Sequence, residues 1–141
     1  MITISGHAVL LWLHVLGACV WIGGQLVVAA VVPLTRGEPR LARALGRRFQ
    51  AVAWPAFALL VVTGVIQAYA IGITPATLLE TAAGRTLGVK LLFVLVSGAA
   101  ALAHALTPSR WRSARLAGVL GGVSLLSAVV AALYGVVLGG G

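Results

Sequence analysis

Two histidines and a tryptophan near the start of the chain stand seven residues apart: His7, His14 and Trp21. Seven residues make two helical turns, so on a helix the three share one stripe. Lys90, Ser97 and His104 repeat the same period later on, with Val94 and Ala101 between them. A neutral imidazole can ligate haem iron or copper, and helical bundles present such ligands from their inward faces. His14 is the leading candidate ligand, His7 the weaker one and His104 the weakest. Trp21, Trp54 and Phe57 would offer flat apolar walls to a ring-shaped cofactor. Lys90 and the outer His7 would meet carboxylates, such as propionates or a tetrapyrrole substrate, and Lys90 is the one catalytic candidate. Each residue also has a plainer reading. His14 would be a histidine satisfied by a neighbouring helix, His7 and His104 would be interfacial, and Lys90 would snorkel outward.

The elements that must position these groups are membrane helices. No formal charge interrupts the chain from His7 to Leu34. The whole sequence is 61% hydrophobic and 9% charged, where a soluble domain would be near a quarter charged. The apolar runs are too long for strands and do not alternate. The pattern predicts an all-α, integral membrane four-helix bundle, one domain over residues 1–141, with helices at about 5–34, 48–71, 85–106 and 116–138. No cleavable signal is expected, because a positive leading region is lacking and the first apolar run is too long.

Apart from Lys90, the charges that make up the net +8 lie between the apolar runs. That distribution argues for membrane orientation and against nucleic acid. Arg36, Arg40, Arg43, Arg47 and Arg48 fill the first connection, and Arg110, Arg112 and Arg115 the third. The second has Arg85 alone. The bias puts the first and third connections in the cytoplasm, with both termini outside the inner membrane of a bacterium. The first and third helices then run the same way. His14 and Lys90 fall at similar depth in the outer half, and His104 about 20 Å deeper than His14, too far to share a metal with it. His7 and His14, about 10.5 Å apart along one helix, are likewise too distant for one ion.

Other residues read as scaffold. Thr74 and Pro75 predict a short surface helix in the second connection, with Leu78 and Leu79 against the mouth of the bundle. Pro55 follows Trp54 inside the second helix and would kink it. Gln25, Gln50 and Gln67 would hydrogen-bond between helices. Cys19, the sole cysteine, would be a small buried packing residue. Cu(I) favours thiolate and thioether, so one cysteine and one methionine make a Cu(I) relay a weak expectation, whereas a single histidine-rich copper site stays open, with His7 and His14 as its contacts. The fourth helix carries a stripe of Gly121, Ser124, Ala128, Ala131 and Gly135. It also holds two GxxxG pairs, Gly118 with Gly122 and Gly135 with Gly139, suited to close packing or a homo-oligomer.

Three segments, LHVLGACVWIGG (13–24), RRFQAVAWPAFALLVVTGVI (47–66) and GRTLGVKLLFVLVSGAAALAHAL (84–106), together resemble the superfamily that joins the CopD-like copper-resistance membrane domain with HemJ-type protoporphyrinogen oxidases. The resemblance covers the first three helices and implies a four-helix membrane bundle. On the HemJ side it implies haem b bound through the first-helix histidine, here His14, working with the third-helix lysine, here Lys90. The leading expectation is a membrane protein holding haem b for a redox or metal-handling role. The alternatives are copper transport or resistance, protoporphyrinogen IX oxidation with electrons passing to quinone or another redox partner, and a cofactor-free assembly subunit whose basic segments dock a partner or anionic lipid.

Overall fold

Ser5 opens the first helix by accepting the backbone N–H of Ala8 on its hydroxyl at 3.2 Å, which satisfies one of the orphan first-turn donors. A computed structural model describes residues 5–35, 37–107 and 113–139. Among these residues there are four α-helices and no strand: α1 Gly6–Val31, α2 Pro39–Ala70, α3 Ala82–Leu106 and α4 Ala114–Gly139. A 3-10 turn, Val32–Thr35, follows α1 at Pro33, whose ring cannot continue an α-helix. All four helices are long and apolar enough to cross a membrane. The shortest has 25 residues, about 37 Å at 1.5 Å each, against a hydrocarbon core of ~30 Å. The chain is a multi-pass, all-α membrane protein. Arg36, Arg110 and Arg112 lie outside the described residues.

Three local expectations need correction. The second helix begins at Pro39, about nine residues before the expected start. Pro39 occupies the first helical turn, where its missing N–H costs nothing, and the following Arg, Leu and Ala residues are good helix formers. Arg40, Arg43, Arg47 and Arg48 are therefore exposed helical residues and not loop residues. The second connection has no surface helix. Pro75–Glu80 form successive turns, and the capping residue is Thr81, whose hydroxyl accepts the Gly84 N–H at 2.9 Å to start α3. Leu78 lies against the start of α3, but Leu79 is 73% exposed. Cys19 is exposed, because it falls on the opposite side of α1 from Gly17 and Trp21.

The end of α2 is defined by Gly72, whose φ of +78° lies in the left-handed region. Its N–H donates to Tyr69 O and the N–H of Ile73 donates to Ala68 O, each at 3.0 Å. This double closure satisfies the last carbonyls and turns the chain away, with Ile73 buried beneath it.

The chain divides into two compact units that meet between Thr74 and Pro75 in sequence. The first is the antiparallel hairpin of α1 and α2, and the second that of α3 and α4. Both pack through small residues, as expected where lipid removes the hydrophobic drive and close contact must supply the attraction. In the first, Gly17 of α1 sits against Ala56 and Leu60 of α2: a Cβ there would come 3.1 Å from the Ala56 carbonyl. In the second, the expected α4 stripe is largely buried at Ser124, Ala128 and Ala131, while Gly118 and Gly122 are exposed. Ser97 of α3 is 1% exposed and donates to the Ser124 carbonyl at 2.8 Å, with the Ser124 hydroxyl at 3.3 Å. Replacing Ser97 with alanine is expected to cost the hairpin about 1 kcal/mol, read as a lower unfolding midpoint in a detergent titration. The outward faces carry Leu26, Val27, Leu95, Leu126 and Val136, an apolar surface suited to lipid tails.

Candidate functional site

In the first hairpin, the apolar faces of α1 and α2 meet around one polar pair. His14 is half-buried, and its Nδ1 lies 2.8 Å from Oγ1 of Thr63, a residue only 2% exposed. Thr63 reaches its own helix as well: Oγ1 donates to the Leu59 carbonyl at 2.6 Å and approaches the Leu60 carbonyl at 3.3 Å. Gly64 makes room for the ring, since a Cβ at that position would lie 3.3 Å from His14 Cε1. We expect Gly64→Ala to push the imidazole off Thr63 by a few tenths of an ångström. The histidine ring signals of the labelled protein should shift in NMR while the helix content holds.

Two turns along α1 from His14, Trp21 is 3% exposed. Its ring centroid lies 4.5 Å from Phe57 and 5.7 Å from Trp54, and those two rings meet edge to face at 5.9 Å. The three aromatics thus pack on one another between α1 and α2, and α2 runs through Pro55 without ending. Gln25 donates to the Trp21 carbonyl at 3.1 Å within α1 and not across helices. On α2, Gln67 stands one turn beyond Thr63 on the same face, with its Nε2 buried and no hydrogen-bond partner among the described residues. His7, two turns before His14, is exposed.

The second hairpin holds the other candidates. Lys90 is half-buried, with its aliphatic stem and ammonium over Gly135 of α4: a Cβ on that glycine would come 3.2 Å from Nζ. Phe93, one turn on, stacks on Tyr134 at 6.2 Å. His104 is half-buried in the last turn of α3, and Ser97 is the fully buried member of the expected stripe. Among the described residues, no group of three or more His, Cys, Asp or Glu side chains is placed to hold a metal ion.

The profile of the family described as copper resistance protein D matches residues 43–139, more than half of the chain. The chain belongs to this family. No curated protein and no solved structure matches it. The copper resistance match begins on α2 and runs through α3 and α4, so the fourth helix, which carried none of the expected resemblance, is part of it. Thr63, Gly64, Lys90 and His104 fall inside the matched segment, and His7, His14 and Trp21 precede it. Thr63 and Gly64 escaped the sequence reading. Their signal was a lone hydroxyl and a glycine in the apolar run ALLVVTGVI of α2.

Proposed function

We propose that the protein handles copper inside the membrane and that His14 is its intramembrane ligand. The observation that carries this reading is the His14 imidazole, held by Thr63 within an apolar hairpin of a copper resistance family member. Imidazole nitrogen binds copper well, and an ionisable side chain is retained in a membrane helix at a cost that function explains better than packing does.

Copper is the first choice over haem b. An axial role for His14 would use the same imidazole, but Trp21, Trp54 and Phe57 spend their faces on one another, and the family relation points to copper. The deciding experiment is metal analysis with absorption spectra of the purified protein, oxidised and then reduced, followed by Cu(I) titration against a chromophoric competitor. The copper reading expects saturable Cu(I) uptake without a Soret band. A Soret band with sharp reduced α and β bands would replace it with haem b, and protoporphyrinogen turnover that fails in Lys90→Ala would replace it with the enzyme reading. Absence of both metals after a haem titration would leave the assembly-subunit reading.

For orientation, we place the arginine-bearing starts of α2 and α4 in the cytoplasm. The support is the exposed set of Arg40, Arg43, Arg47 and Arg48 on α2 and Arg115 on α4 against Arg85 at the start of α3. A C-terminal alkaline phosphatase fusion in a bacterial host should be active, and a fusion after Arg48 should be silent.

A further inference from the structure

We propose that Thr63 is the positioning residue of this site: it holds the His14 imidazole in its Nδ1–H form and so aims the Nε2 lone pair at whatever His14 binds. The argument follows the protons. Thr63 has a single hydroxyl proton, and a carbonyl oxygen can only accept. At 2.6 Å from the Leu59 carbonyl, that proton is committed to the helix. What Oγ1 has left is capacity to accept, and the group 2.8 Å away is His14 Nδ1. Nδ1 therefore carries the hydrogen. A neutral imidazole has one N–H, so the lone pair sits on Nε2.

The opposite tautomer would set the Nδ1 lone pair against the Thr63 oxygen, or else pull the hydroxyl off Leu59. Inside a dry span either arrangement wastes a hydrogen bond that water cannot replace. Threonine is suited to the task because its branched side chain has few rotamers in a helix, and one of them bonds the carbonyl a turn earlier. Gly64 completes the device by leaving the ring its space. In metal sites the partner of the non-ligating nitrogen sets both the tautomer and the ring orientation, and its loss weakens metal affinity about 10- to 100-fold. The consequence for copper rests on the copper reading above, whereas the tautomer does not.

The test is 15N NMR of histidine-labelled protein in lipid, with the His14 ring assigned by its disappearance in His14→Gln. The expected wild-type spectrum has a protonated Nδ1 and an unprotonated Nε2. In Thr63→Val, which keeps the shape without the hydroxyl, the ring should move to a tautomer mixture or to the Nε2–H form, and Thr63→Ser should restore the wild-type signals. Cu(I) affinity should fall about 10- to 100-fold in Thr63→Val and return in Thr63→Ser. An Nε2–H ring in the wild-type protein, or a Thr63→Val spectrum identical to it, would overturn the proposal. If the tautomers shift as expected while the wild-type protein takes up no copper, the positioning role stands and the copper reading fails.

Discussion

His14→Gln is expected to weaken Cu(I) binding by about a hundredfold or more while leaving the protein folded in detergent. Loss of a partner of a ligating imidazole costs about 10- to 100-fold, and loss of the ligand itself should exceed that. Glutamine is the informative replacement. Its amide can still donate to Thr63, so the hairpin keeps its hydrogen bond, but its nitrogen has no basic lone pair to offer copper. The measurement is a competition titration with a Cu(I) chelator, read beside the thermal unfolding midpoint. Unchanged affinity in a folded His14→Gln protein would remove His14 from the site. The same change at His7 should have little effect, because His7 is exposed two turns away from the Thr63 pair. That contrast separates a positioned imidazole from one that is merely present on the same stripe.

The stripe was legible because its signals are strong ones. Long uncharged runs identify spans whatever their neighbours, and a seven-residue period identifies a face. The small residues of α4 announced a packing face, and Ser124, Ala128 and Ala131 form it. Three kinds of feature were harder to read. The start of α2 was misplaced because a run of arginines marks where a helix leaves the bilayer and says nothing about whether it ends there. Pro39 and the helix formers after it let α2 begin well before the apolar run. Cys19 was misassigned because its small, apolar residue type was weighed above its place on the helix, where it lies opposite Gly17 and Trp21. Thr63 was missed because its hydrogen bond to His14 joins residues 49 apart in sequence, and a threonine in an apolar run most often only bonds its own helix. The candidate site rests on a pairing, and a single sequence shows pairings poorly. The same limit explains the glutamines: Gln25 spends its amide on the carbonyl one turn back, a local choice that composition does not distinguish from an interhelical bond.

Gly84→Ala is expected to be the most damaging single methyl addition in the second hairpin. A Cβ on Gly84 would overlap the Leu78 carbonyl and meet the Thr77 carbonyl at 2.9 Å. Both are backbone atoms of the turns that lead into α3, and Thr81 pins those turns to the same glycine through its hydroxyl. Relief therefore means moving the chain and breaking the cap, not rotating a side chain. The overpacking alone costs about 1–3 kcal/mol, and loss of the cap adds about 1 kcal/mol. Gly24 provides the control. A Cβ there would come 2.6 Å from the Phe49 ring, a closer approach than Gly84 makes to Thr77, yet the obstacle is the far edge of a side chain that can swing aside. Gly24→Ala should thus cost less than Gly84→Ala. Detergent unfolding of the two variants side by side gives the ranking, and the reverse order would mean that the turns before α3 yield more easily than the Phe49 ring.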